Sequence, residues 1–233
     1  AAAFLASCQE LNGSFHADLG PGVTALAVTG LVRSGTPADT PVVRKALDYL
    51  MSFRQPDGGF YTAGSPVANY ETSIVMLALA ACNADGRLDA EIKGATRFVK
   101  KLQWDEDEGK DPNDPAYGGA GYGKKSRPDL SNTAFMIEAL RTVGESENDP
   151  AIQRALQFVS RTQNLPGPHN PLPFPAKNPD GGFYYTPAAG GESQAGETPG
   201  GGLRSYASMT YAGLKSMIFA GLTKDDPRVK AAI

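Results

Sequence analysis

Gln55-Pro56-Asp57-Gly58-Gly59-Phe60-Tyr61 is a stretch that the chain repeats in loosened form. It returns as Gln163 followed by Asp180-Gly181-Gly182-Phe183-Tyr184-Tyr185, and as Gln103-Trp104 followed by Tyr117-Gly118-Gly119. Each copy follows the same prelude, an apolar run carrying a Thr and then an amphipathic run. Thr24 to Gln55, Thr72 to Gln103 and Thr133 to Gln163 are 31, 31 and 30 residues apart, whereas the step from Gln to the double glycine is 3, 15 and 18. Insertions therefore fall at one place in the unit. Without them the period is about 48 residues, the scale of a helical repeat. A fourth copy opens at Met209-Thr210-Tyr211 and reaches its second helix at 226–233, while residues 9–15 read as the tail of an earlier unit. The expected organisation is one domain, 1–233, built of repeats at 17–65, 66–127, 128–202 and 203–233 and incomplete at one or both ends.

Within a unit, the first run, as in 72–82, is almost wholly apolar, which predicts a helix buried on all sides in an inner ring. The second is amphipathic. In 41–54, Val42, Ala46, Leu47, Leu50 and Met51 recur at three- and four-residue steps, with Arg44, Lys45 and Asp48 on the other face. Thr40-Pro41, Asp149-Pro150 and Asp226-Pro227 place a capping residue and a first-turn Pro before these outer helices. The Phe-Tyr pieces after the glycines are too short for more than a turn or small hairpin. The fold class expected is all-α.

Composition narrows the partners. The 233 residues carry 27 Gly and 18 Pro, 41% apolar and 20% charged residues, and a formal net charge of -3. That charge gives no reason to expect a nucleic-acid partner. No apolar run approaches the ~20 residues of a membrane span. Cys8 and Cys82 are too few for a disulfide scaffold or an all-cysteine zinc site. Residues 1–8 lack the basic lead-in of a secretory leader, and the compartment stays open.

The Gln…Asp-Gly-Gly-Phe corners closing helix pairs at this period resemble the prenyltransferase and squalene-cyclase (terpenoid cyclase) repeat superfamily over almost the whole chain. The resemblance implies an α/α toroid, in which inner helices ring a cavity and glycine loops gather at one end. It also directs attention to two chemistries. Class II cyclases protonate an alkene with Asp-x-Asp-Asp-Thr-Ala at the start of an inner helix, and the matching stretch here is Asp129-Leu130-Ser131-Asn132-Thr133-Ala134. Ser131 and Asn132 replace two acids, and Ser cannot protonate an olefin. Protein prenyltransferases hold zinc with Asp-x-Cys and a distant His, but Cys8 and Cys82 follow Ala6 and Ala80, and His16 and His169 have no paired ligand. No metal and no cofactor are expected. The Cys-x-x-Gln of thioester domains is likewise unmatched at Cys8.

In such a toroid the starts of inner helices face the cavity, which nominates Tyr70, Glu71, Ser131 and Asn132 as ligand-contacting residues, together with Arg204, Tyr206 and Tyr211 around the fourth inner helix. Glu71 and Asp129 are the candidate catalytic carboxyls. Their structural alternatives are a first-turn acid offsetting the dipole and an N-cap. Thr24, Thr72, Thr133 and Thr210 are assigned to structure, and the acidic run 105–108 to a solvated loop. The leading functional expectation is a toroid module that binds an apolar, isoprenoid or peptide ligand, or a protein partner, in its cavity. The alternatives are an isoprenoid-processing enzyme with altered catalytic residues, and a glycan-processing α/α barrel using Glu71 and Asp129 as its acid pair.

Overall fold

A computed structural model describes residues Ala1–Ile233. Its secondary structure is helical: α1 (Ala2–Ser7), α2 (Pro21–Arg33), α3 (Pro41–Met51), α4 (Ala68–Ala81), α5 (Asp89–Lys101), α6 (Leu130–Thr142), α7 (Pro150–Arg161), α8 (Phe174–Lys177), α9 (Ala207–Phe219) and α10 (Pro227–Ala231). Extended pairing is confined to isolated bridges, three of which, Arg54↔Phe60, Ala120↔Asp129 and Gln163↔Phe183, lie at the glycine corners. No helix is long and apolar enough to cross a membrane.

The chain forms two compact units, 1–101 and 102–233. In the first, α2 packs on α3 and α4, and α4 packs on α5. Every residue from Ala68 to Leu79 except Tyr70 is buried, so α4 is enclosed on every side as its apolar sequence demands. By contrast α3 buries one stripe, Val43, Ala46, Leu47 and Leu50, and leaves Arg44, Lys45 and Asp48 to solvent. In the second unit α6 packs on α7 and α9, and α7 on α9. Again the inner helix α6 is buried nearly throughout while α7 is amphipathic.

The repeated letters are the fasteners of these units. Each shared Thr accepts the N–H of the residue after the corner glycines: Thr24 from Phe15 at 3.0 Å, Thr72 from Phe60 at 3.0 Å, Thr133 from Ala120 at 2.9 Å and Thr210 from Phe183 at 3.1 Å. Three glutamines clamp a corner to the outer helix that follows. Gln9 Nε2 donates to Gly13 O and Val42 O, Gln103 Nε2 to Gly118 O and Ala151 O, and Gln163 Nε2 to Gly181 O and Arg228 O, all at 2.8–3.0 Å. In each case the second acceptor is residue two of α3, α7 or α10. The corner glycine has positive φ, +83° at Gly118, and a Cβ there would run into the Arg154 carbonyl.

Three sequence expectations shift in detail. The helix expected at 72–82 begins at Ala68, because the Glu71 amide already bonds Val67 O. The one expected over 41–54 stops at Met51, where residues 52–54 turn into the corner. Asp149 and Asp226 do cap α7 and α10 through the amides of Ala151 and Arg228, but Thr40 bonds back to Pro37 O and leaves α3 without a side-chain cap.

Candidate functional site

The first turn of α6 gathers the most chemistry in the second unit. Asp129 follows Pro128, which restricts the residue before it rather than Asp129 itself; Asp129 is extended (φ -144°, ψ 161°) and caps the helix. Its backbone is held by Ala120, whose carbonyl accepts the Asp129 amide at 3.1 Å, and Tyr185 O accepts the Leu130 amide at 2.8 Å. Thr186 Oγ1 donates to Pro128 O at 2.7 Å. Two glycine corners, one on either side of α6 in sequence, therefore fix how this helix starts.

Asp129 is only 2% exposed. Its Oδ1 accepts the Asn132 amide and its Oδ2 accepts Asn132 Nδ2, each at 2.8 Å. The Tyr185 phenol lies near enough to Asp129 that each group influences the titration of the other. Burial raises the Asp129 pKa, against the lowering pull of Asn132, Tyr185 and the Arg127 charge. The same closeness works on the phenols. Tyr185 is raised by burial, by Asp129 and by Tyr122, and Tyr206 is pushed up to about 12 by burial, Asp129 and Glu192. At the rim, Arg127 pairs with Glu192 at 2.6 Å.

The nominated residues thus separate. Asn132 bonds Asp129, Tyr206 lies within range of its charge, and half-buried Ser131 sits next to Asn132 on α6. Arg204 does not join them: its Nε donates to Glu197 O at 2.9 Å and closes the exposed 193–204 loop. Tyr211 is 69% exposed and lines a cleft of about 200 Å³ on α9 with Leu214, Lys215, Ile218 and Phe219. Beside it Lys215 pairs with Glu138 of α6 at 2.6 Å. Tyr185 and the Glu138–Lys215 pair were not nominated from sequence. Tyr185 was visible only as part of a corner, and nothing local tells that its phenol lies near a carboxyl 56 positions earlier.

Tyr70 and Glu71 belong to the first unit, in the first turn of α4. Glu71 is 5% exposed, takes the Thr62 hydroxyl on Oε1 at 3.5 Å, and has a buried Oε2 without a hydrogen-bond partner. Burial raises its pKa, opposed by Ser65 and Thr62. Gly20 lies against it so closely that a Cβ would sit 2.7 Å from Oε1. Elsewhere Cys8 is exposed and Cys82 buried, and no three His, Cys, Asp or Glu side chains gather as a metal site. The acidic run 105–108 forms a capped helical turn tied down by Asp105 to Arg154 at 3.0 Å and by Tyr117 to Glu106 at 2.9 Å.

Helix pairs, buried inner helices and glutamine-clamped glycine corners define a member of the prenyltransferase and squalene-cyclase superfamily, with the α/α-toroid fold class. More narrowly, the chain matches the squalene-hopene cyclase C-terminal domain over residues 9–186 and belongs to that family. Among solved structures it is similar to MstE, a type II terpene cyclase from Scytonema. The apo form gives a TM-score of 0.57 at 15% identity, covering 99% of this chain and 58% of that one. A variant of MstE in complex with merosterolic acid A as product gives 0.57 at 16%, covering 99% and 59%. Another, in complex with geranylgeranyl dihydroxybenzoate as substrate, gives 0.56 at 16%, covering 99% and 58%. The chain therefore spans less than two thirds of these structures. No curated protein matches it in sequence.

Proposed function

We propose that this chain is a terpene-cyclase-fold module that binds an apolar, isoprenoid-type ligand along the α6–α9 wall without protonating it. The observation that carries this reading is the state of Asp129. It is the one acid retained from the family's motif, and its two oxygens are held by the Asn132 amide and Asn132 Nδ2 while it caps α6. The carboxyl is thereby committed to holding the first turn of the helix, with both oxygens taken up as acceptors. The apolar Tyr211, Leu214, Ile218 and Phe219 supply a surface for a hydrocarbon chain, and the similar MstE structures hold isoprenoid compounds.

The second reading is an isoprenoid-processing enzyme that uses Asp129 as its acid. The net upward pKa of this carboxyl favours it. One experiment separates the two. The chain is incubated with geranylgeranyl dihydroxybenzoate, followed by thermal unfolding and mass spectrometry of the recovered ligand. The module reading expects a raised Tm and unchanged ligand. A cyclised product that disappears with Asp129→Asn establishes the enzyme instead, and an unmoved Tm at about 1 mM ligand defeats both.

A further inference from the structure

Four glutamines occupy the same register, and one of them does something different. Gln9, Gln103 and Gln163 each place a carboxamide –NH₂ between the corner-glycine carbonyl and the carbonyl of an outer-helix residue. Gln55 Nε2 turns instead to Tyr61 O at 2.9 Å and Phe53 O at 3.3 Å, both within its own corner. The two carbonyls that would receive it follow from the packing. The corner glycines Gly13, Gly118 and Gly181 abut Lys45, Arg154 and Ala231, each three residues after the clamped carbonyl, and Gly58 abuts Gly94 in the same way. By that register the pair at this corner is Gly58 O and Glu91 O.

Here lies a cleft of about 410 Å³ lined by Arg54, Gln55, Asp57, Gly58, Gly94 and Arg97, with Pro56 and Ala90. Its charges are mixed. Arg54 is neutralised by Glu91 at 3.0 Å, and Asp57 is engaged by Tyr61 OH and the Gly59 amide. Exposed Arg97, one turn beyond Gly94 on α5, carries no ion pair. A simple anion would meet Asp57 as well as Arg97, so charge alone does not select one. A group that offers a carboxamide to the two carbonyls the register indicates, as the three clamping glutamines do at their corners, and a carboxylate to Arg97 would use both features of this corner.

We propose that the Gln55 corner binds a carboxamide with a nearby carboxylate, the chemistry of a C-terminal glutamine on a peptide. The protein demonstrates the amide half of this recognition three times with its own side chains, and Arg97 supplies the carboxylate half through a two-pronged hydrogen-bonding fork. The site lies wholly in the first unit and is independent of the ligand proposed for α6 and α9.

The test titrates the ¹⁵N-labelled full chain with three probes: N-acetylglutamine, N-acetylglutamate, which lacks the amide, and N-acetylglutaminamide, which lacks the carboxylate. The Gly58 and Gly94 amide resonances report binding. N-acetylglutamine is expected to shift them saturably with a Kd on the order of millimolar, and the other two to bind at least about fivefold more weakly. Arg97→Gln is expected to keep the wild-type Tm, to weaken N-acetylglutamine by about fivefold or more, and to leave N-acetylglutaminamide unchanged. The proposal is overturned by no shift up to about 50 mM, by N-acetylglutamate binding as well as N-acetylglutamine, or by an Arg97→Gln chain that binds all three probes as the wild type does.

Discussion

The Gln163 and Gln55 corners share Asp-Gly-Gly-Phe-Tyr and the Thr bond, yet only the first is clamped to the next outer helix. The difference lies in what they face. Gln163 meets α10, whose start is set by Pro227, by the Asp226 cap and by Arg228, itself held by Asp226 and by Ser160 Oγ at 3.1 Å. Gln55 meets α5, which opens on Asp89-Ala90 without a first-turn Pro and is tied at its entry by Asn83 to Asp89 and by Arg54 to Glu91. A corner motif therefore specifies its own turn, while the clamp depends on the helix it reaches. Two helix starts teach a similar lesson. Glu71 immediately precedes the shared Thr of α4, where α6 has Asn132, so the buried carboxyl of α6 is Asp129, one turn earlier.

The largest effects are expected at the corner glycines. Gly118→Ala is expected to lose about 3 kcal/mol or more, because positive φ and the Arg154 carbonyl both oppose a Cβ. Gly58→Ala should lose less, since its Cβ would stand 2.7 Å from Gly94 O beside a helical glycine. Urea denaturation midpoints rank the two, and a reversed order breaks the contrast between clamped and unclamped corners. Next come the glutamines. Gln163→Ala takes its donor from the buried Gly181 carbonyl and the part-buried Arg228 carbonyl and should lose about 2–3 kcal/mol, against roughly 0.5–1 kcal/mol for part-exposed Gln55→Ala. Equal losses in the same assay would show that the Gln55 amide does clamp in solution.

Thr133→Val and Thr72→Val should each lose about 1–2 kcal/mol, because both hydroxyls accept one buried amide, with Thr133 at the upper end because its hydroxyl also donates to Asp129 O at 2.7 Å. A gap larger than that range would mean that the Thr bond, too, depends on the clamp. The smallest effect is in pH. Asp129 and Glu71 have native pKa values raised by burial, so the native state holds their protons more tightly than the unfolded chain. Their contribution is fully present below the ordinary carboxylate pKa near 4 and is lost as pH rises through the raised native values. Stability should therefore fall over that window, and Asp129→Asn and Glu71→Gln should each flatten the fall. Slopes identical to wild type in both variants would mean that these groups titrate normally.

The helix pairs were legible because their signals are local. Apolar residues at helical steps, Pro after a capping residue, and glycine where φ must be positive all act within one turn of chain. Even so, Thr40 shows that a capping residue in the right place can bond backwards instead. The site was legible in part. Asp129 and Asn132 are three residues apart and read as a cap, but Arg204 and Tyr206, two residues apart, go to different places: one closes a loop, the other opens α9 beside Asp129.

Sequence by itself determined the repeat, the buried and solvent-facing helices, and the loss of two acids from the family motif. It did so because periodicity and residue chemistry need no knowledge of distant contacts. Only the tertiary structure decided that Tyr185 and Tyr206 come within electrostatic range of a carboxyl 56 and 77 positions before them, and that Gln55 alone of four glutamines turns inward on its corner. The reason is physical. The insertions between Gln and glycine vary in length, and hydrogen bonds across them are set by where buried helices bring the chain together rather than by spacing along it.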